Sequence, residues 1–281
     1  MRLSTDFTAT TPVPSFWYSG PSDPEAFRAR TTYLDADTLA ESGLGKVDLY
    51  VAGNFVLESG TKLELNAGGS FSVSANTVAA YTQDFRIDGA INIAGGSVKL
   101  LQAENVSFGA GASIDVSGQR VNSAIDGMPA RPPVVDGGTV EIMNGQFDPG
   151  VVIDVSGGGW YRSTGRKAEF KAGNAGRIVL RGVNAAQLAN VDLRAYAAGS
   201  GGSLTIETTS SLQLGGGATA DAQTVRLPET LLESAASARL RSTRRAISLF
   251  RPVSRSRRYR SVSMCGEGTS QASPPVRRSR R

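Results

Sequence analysis

The sequence predicts an all-β chain folded as a right-handed parallel β-helix with two extruded loops and a disordered basic tail. Three observations carry that expectation. A short strand–corner–strand unit recurs along the chain, Gly-Gly or Ala-Gly pairs mark its corners, and the composition holds 33 glycines with only 7% aromatic residues. Many short strands joined by tight turns suit that balance better than packed helices do. With 281 residues and an apolar fraction of 40%, the chain has enough apolar material for a real core.

The unit reads apolar, polar, apolar, then a turn, then a glycine pair followed by apolar, any, apolar. It is spelled LELNAGGSFSV from Leu63, INIAGGSVKL from Ile91, IDVSG from Ile114 closing with GGTVEI, and IDVSG from Ile153 closing with AGRIVL. VDLRAYAAGSGGSLTI from Val191 is a further copy, and LQLGGG from Leu212 a weaker last one. Alternation over three to five residues marks a strand with one face buried. In Ile114-Asp115-Val116 the two branched residues are expected to point inward and Asp115 outward. The glycine pairs offer positive φ without steric cost, so the chain can turn within two residues. No unit can bury its apolar face alone; stacking them in parallel about 4.8 Å apart buries a continuous column. The intervening strands VDLYVAG, NFVLESG, FRIDGA and ENVSFGAG fit the same scheme. A β-sandwich is the competing architecture, but it predicts longer strands and two-residue Asn-Gly or Asp-Gly hairpins, which are rarer here than Gly-Gly corners.

These patterns divide the chain into an irregular segment at 1–43, a shaft at 44–217, an end of shaft or linker at 218–234, and an Arg/Ser-rich tail at 235–281. The net charge of +5 divides unevenly. From Arg239 onward there are thirteen arginines against the single acid Glu267, which leaves the body with 17 basic and 24 acidic residues. Nothing in the body suggests a grip on nucleic acid. There is no histidine, and Cys265 is the only cysteine. That removes the commonest general base, His/Cys zinc sites, cysteine nucleophiles in the body and intrachain disulfides. The start lacks the basic end and apolar run of a secretory signal, and no stretch approaches the ~20 apolar residues of a membrane span. Taken literally, such a chain stays soluble and unexported.

The segments GGSFSVSA, IDGAINIAGGSVKL, GASIDVSG and AGRIVLRG resemble the shaft repeats of filamentous-haemagglutinin-type large exoproteins, the adhesins exported by two-partner secretion. ADTLAESGLGKVDLYVAGNFVLESGTKLEL is similar to the same exoproteins, and the likeness runs over roughly residues 36–233. The resemblance implies a Gram-negative secreted or outer-membrane surface protein that attaches to host or bacterial surface glycans or proteins, without catalysis and without a cofactor. It also implies an outer-membrane two-partner transporter as partner of the full-length protein. A body free of cysteine agrees with a substrate that crosses the periplasm unfolded. The family's amino-terminal signal and secretion domain are not found here, so the resemblance implies an internal or carboxy-terminal fragment. One choice of GC-rich codons for the region after RLPETLLES, shifted by one nucleotide, spells a Gly-Gly and an alternating strand, which motivates the expectation of a frame change before the tail.

Two sets of side chains are candidates for chemistry. Asp115, Asp154 and Asp192 are expected at the same place in three units, with Glu64 and Asn92 at the matching place in two others. Stacked carboxylates can bind Ca²⁺ or act as an acid/base pair in a β-helical polysaccharide lyase or glycosidase. The simpler expectation is that they keep the outer strand face in water and block unwanted pairing, so no catalytic and no metal residue is assigned. The inserts QRVNSAIDGMPARPPVVD and GGWYRSTGRKAEFKAGN interrupt successive units at the same point, so they should leave one edge and touch. Trp160, Tyr161, Arg162, Arg166 and Lys167 would then set flat aromatic faces beside positive charge, as sugar or acidic-glycan contacts need. The alternative is a lid in which Trp160 and Tyr161 fold back over the core. Asn105-Val106-Ser107 has the N-glycosylation spelling but is given no role. Arg255-Ser256-Arg257-Arg258 could serve as an RNA-binding arm, although an out-of-frame GC-rich read has the same bias. The function expected is attachment by a shaft, and the alternative is a β-helical carbohydrate-active enzyme.

Overall fold

Strands of three to six residues that alternate apolar with polar side chains bury one face only when neighbours stack on them in register. The structure, a computed structural model, describes residues 2–4, 32–75, 83–164, 167–183, 185–208, 211–214, 224–227 and 238–242. Among these residues three parallel sheets account for most strands. The first sheet runs in the order Gly145–Phe147, Asn105–Phe108, Asp84–Ile87, Phe55–Leu57, Arg2–Ser4, Tyr33–Asp35. The second runs Val191–Arg194, Val151–Asp154, Ser113–Asp115, Ala90–Asn92, Lys62–Glu64. The third runs Ala238–Ser242, Ser203–Thr208, Arg177–Arg181, Thr139–Met143, Ser97–Leu101, Ser70–Ala75, Lys46–Val51. From Phe55 onward the chain visits first, second and third sheet in turn, and completes that circuit four times by Arg181. This all-β, parallel arrangement departs from a sandwich of antiparallel hairpins. No helix among the described residues is long and apolar enough to cross a membrane.

The interior is built from columns of equivalent residues. Leu63, Ile91, Ile114, Ile153 and Leu193 stand in register across the second sheet, and none is more than 1% exposed. Phe71, Val98, Val140, Ile178 and Leu204 form such a column in the third sheet, and Leu57, Ile87, Phe108 and Phe147 in the first. Phe108 and Phe147 stack with ring centroids 5.2 Å apart. Each such side chain contributes about 1.5–3 kcal/mol by leaving water.

The repeated Ile-Asp-Val-Ser-Gly has a definite structural cause. Its two copies lie on adjacent circuits, with Ile114 opposite Ile153 and Asp115 opposite Asp154. Both aspartates bend back on their own chain: Asp115 accepts the Ser117 N–H at 2.9 Å and Asp154 the Ser156 N–H at 2.8 Å. The backbone ladder continues past the strands, since Val116 N–H donates to Asp154 O and Gly118 N–H to Ser156 O. The glycine pairs divide two tasks. Gly68 and Gly95 have φ of 76° and 62°. The glycine after each serves close approach instead, in a ladder that starts on Gly45 and runs through Gly69, Gly96, Gly138, Gly176 and Gly202; each lies just ahead of a third-sheet strand, and from Gly69 on each packs against the backbone oxygen of the ladder glycine before it. Ser70, Ser97, Thr139, Arg177 and Ser203 donate their N–H to the ladder glycine of the preceding circuit.

Both ends of the stack carry terminating devices. In the fifth circuit a 3₁₀ helix, Ala185–Asn190, stands where a first-sheet strand would follow. Gln187 Oε1 accepts the Phe147 N–H at 3.1 Å, and Asn190 Nδ2 donates to Phe147 O at 3.0 Å. Two side-chain amides thus take the place of the next strand. At the other end the helix Ala36–Glu41 lies against Lys62–Glu64, the edge of the second sheet. Its N-cap Asp35 accepts from Thr38 Oγ1 at 2.7 Å, which holds the Asp35 carboxyl below the ordinary aspartate range.

Four details differ from the sequence expectation. Arg194, not Asp192, stands opposite Asp154; Asp192 stands opposite Val152, because Val191 and Leu193 pair with Val151 and Ile153. Val151-Val152-Ile153 offers two apolar anchors, and the register takes both. Ser211–Leu214, the last copy, pairs with Thr224–Leu227 in a separate parallel sheet rather than extending the stack. The stretch expected to be irregular, 1–43, contributes Arg2–Ser4 and Tyr33–Asp35 to the first sheet, Leu3 pairing with Leu34 and Leu57. The stretch expected to be a disordered tail contributes Ala238–Ser242 to the third sheet, with Ala238 and Leu240 opposite Leu204 and Ile206. The physical reason is shared: an open sheet edge offers a row of backbone groups, and a short alternating segment such as Ala-Arg-Leu-Arg can complete it.

Candidate functional site

Among the described residues the long inserts leave one corner, the passage from second to third sheet. In the third circuit it is extended by a loop whose base is closed twice. Gln119 Oε1 accepts the Val134 N–H at 2.9 Å, and the Gln119 N–H donates to Val134 O at 2.7 Å. Within the loop Asn122 takes the Ala124 N–H on its side-chain oxygen and gives its own N–H to Asp126, forming a tight turn. In the fourth circuit the corner grows an antiparallel hairpin, Gly159–Thr164 with Lys167–Ala172. In the fifth it carries the shorter Tyr196–Ser200, tied down by Gly199 N–H to Gly173 O at 3.1 Å and Ser200 N–H to Asn174 Oδ1 at 2.8 Å.

The first two inserts touch along a parallel ladder, with Arg120, Val121 and Asn122 opposite Gly159, Trp160 and Tyr161. Glycine makes that approach feasible: a Cβ on Gly158 would lie 2.0 Å from Gln119 O, and one on Gly118 1.9 Å from Val135 O.

The hairpin sorts the expected contact residues onto two faces, since neighbours along a strand point to opposite sides. Trp160 and Arg162 share one face with Glu169 and Lys171 opposite them. The half-buried Trp160 donates its indole N–H to Ser123 Oγ at 2.8 Å. The Arg162 guanidinium lies 5.2 Å from the centre of the Trp160 ring and forms an ion pair with Glu169. On this face the Trp160–Ser123 bond ties hairpin to loop, and the Arg162–Glu169 pair ties the two strands of the hairpin together. Tyr161 lies on the other face, opposite Phe170. Both are exposed, and the Phe170 ring rests over Gly159, where an added Cβ would lie 2.8 Å from ring atoms. Lys167 is exposed opposite Thr164, and Arg166 lies outside the described residues. The four expected residues that are described thus lie on two faces of the hairpin. The sequence signal for Phe170 was available in the alternation Ala168, Phe170, Ala172, but it needs the hairpin turn to be located first.

The carboxylates of the second sheet are engaged locally. Asp115 and Asp154 accept backbone N–H groups as described, and Glu64 pairs with Lys62 and accepts from Asn92 Nδ2. Asp192 pairs with Arg194 at 2.6 Å. Hydrogen bonding to Asp192, then the field of Asp192 and Asp154, raises the Arg194 pKa above its ordinary value. Among the described residues no three His, Cys, Asp or Glu side chains gather to hold a metal ion. Asn105, of the glycosylation spelling, lies in a strand and bonds Asp84 and Gln146 across its neighbours.

Comparison with protein-family models, with curated proteins and with solved structures yields no match for this chain.

Proposed function

We propose that the chain is a shaft segment of a filamentous-haemagglutinin-type exoprotein, folded as a right-handed parallel β-helix, that attaches to surface glycans or proteins through its corner inserts and performs no catalysis. The β-helix reading is supported by the repeated visit to three parallel sheets and by in-register columns that bury one another's faces. Secretion through a two-partner transporter and a place at the cell surface belong to the same proposal and rest on the resemblance of the shaft repeats.

One observation carries attachment. Of the seven large apolar side chains that stand exposed among the described residues, five lie on the inserts of a single corner: Ile125, Met128, Tyr161, Phe170 and Tyr196. The scaffold needs none of them for its core. Exposed apolar groups carried on the inserts of one corner, with the exposed cations Arg120, Lys167 and Lys171 on the same inserts, are what a contact surface uses. Tyr161 and Phe170, on one open face, offer flat rings to the apolar side of a pyranose. The local engagement of Asp115 and Asp154 supports a scaffold over a lyase or glycosidase.

The test is binding of the full chain to cells and to a panel of surface polysaccharides, compared with Tyr161→Ala/Phe170→Ala. Attachment that falls about tenfold or more while the melting curve is unchanged supports the proposal. Undiminished attachment, or polysaccharide cleavage that disappears in Asp154→Asn, overturns it.

A further inference from the structure

The hairpin of the fourth circuit leaves one strand half-paired. Among the described residues Lys167–Ala172 is bonded on one side to Gly159–Thr164 and is the edge of its sheet on the other. Its first five residues are exposed, and Ala172 is half-buried. An edge is a row of N–H and C=O groups that another strand can complete, and natural edges are blunted by proline, by a bulge or by charged side chains, lysine above all. This one holds six residues in unbroken register with its partner and no proline, and its two lysines are separated by Glu169, so its charges repel most partners and match a reversed copy of itself.

We propose that this edge pairs antiparallel with the same edge of a second copy, about a two-fold axis at Phe170. Lys167, Glu169 and Lys171 alternate with Ala168, Phe170 and Ala172, so charged and apolar sets lie on opposite faces. A two-fold axis perpendicular to the sheet keeps like faces together only when it passes through a residue. Centred on Glu169, it sets that carboxylate against itself and Lys167 against Lys171. Centred on Ala168, it pairs Lys167 with Glu169 but leaves Phe170 opposite residue 166, beyond the strand. Centred on Phe170, it sets each Glu169 against Lys171 of the other copy, Phe170 against Phe170, and Ala168 against Ala172. That register alone pairs opposite charges twice and covers the exposed ring. The occupant has to be complementary to Glu-Phe-Lys read backwards, and a second copy of the strand is. So short an edge buries much less than the ~1,200 Å² of a stable complex, so the association is weak and rises with concentration. It shares Phe170 with the attachment surface, so pairing of two copies and attachment compete for that ring, and the association is read without any attached ligand.

Sedimentation equilibrium of the full chain tests this. The expected result is a dimer that weakens about tenfold in Lys171→Glu and in Glu169→Lys, because each variant sets two like-charged pairs opposite. An equimolar mixture of the two variants regains the dimer, since every 169–171 pair is then opposite in sign. The register has its own readout in a Cys265→Ser background: Phe170→Cys cross-links two chains, and Ala168→Cys does not. Directly opposite Cα atoms lie about 4.5–5.5 Å apart, within disulfide reach. A chain that stays monomeric, a dimer indifferent to both charge variants, or cross-linking at 168 in place of 170 overturns the proposal.

Discussion

Gly138 has no room for a side chain. A Cβ there would lie 1.9 Å from Gly96 O, and the Thr139 N–H one residue on is bonded to that same oxygen at 2.9 Å. Gly53 is the natural contrast, with nothing within 4 Å of its added Cβ and no left-handed φ. Gly138→Ala is therefore expected to cost about 1–3 kcal/mol or more through overpacking, and Gly53→Ala to stay within about 0.5 kcal/mol. Urea melts of the two variants check this, and equal midpoints would mean the ladder tolerates a methyl group. The glycine pairs were legible in the sequence, but only half their reason was. Turning a corner is local and can be read from neighbours; the clash with the previous circuit comes from a residue about forty positions away. Phe170 escaped the sequence reading for the same kind of cause. Its place beside Tyr161 depends on where the hairpin turns, and consecutive aromatics such as Trp160 and Tyr161 look like one surface until strand alternation separates them.

At the scale of elements, strands and corners followed from alternation and glycine, whereas the terminators did not. Ala185–Asn190 has neither strand alternation nor a marked cap, and its task shows only in the bonds of Gln187 and Asn190 to Phe147. Removing both amides leaves the N–H and C=O of a residue only 1% exposed without these partners. Each unsatisfied group costs on the order of 1–3 kcal/mol. Gln187→Ala/Asn190→Ala is thus expected to lose about 2–4 kcal/mol and, with Gly145–Phe147 laid open as a sheet edge, to scatter more light on standing. Denaturant titration and static light scattering check both parts. Lost stability without self-association would assign the amides to local satisfaction and not to edge protection. The register of Val191–Arg194 was illegible for a related reason: Val191 and Leu193 each offered an apolar match, and only the pairing of both with Val151 and Ile153 decides where Asp192 falls.

Across the stacked circuits, each strand of the three parallel sheets pairs only with the strands before and after it, so stability should be dominated by neighbour terms. Ile114 is the sharpest probe, 1% exposed between Ile91 and Ile153. Ile114→Ala removes buried methyl groups and leaves a cavity on both sides, at a cost of about 2–5 kcal/mol. In native-state hydrogen exchange the slowest amides are expected in the inner strands Ala90–Asn92, Ser113–Asp115 and Thr139–Met143. Lys46–Val51, the outermost third-sheet strand at its end, should exchange faster. In the variant, protection should fall most at Ser113–Asp115, less at Ala90–Asn92 and Val151–Asp154, and least at Lys46–Val51. A graded loss of this kind is what nearest-neighbour coupling requires. An equal loss at every amide would mean that the columns unfold as one cooperative unit, and the circuit could then no longer be taken as the unit of folding.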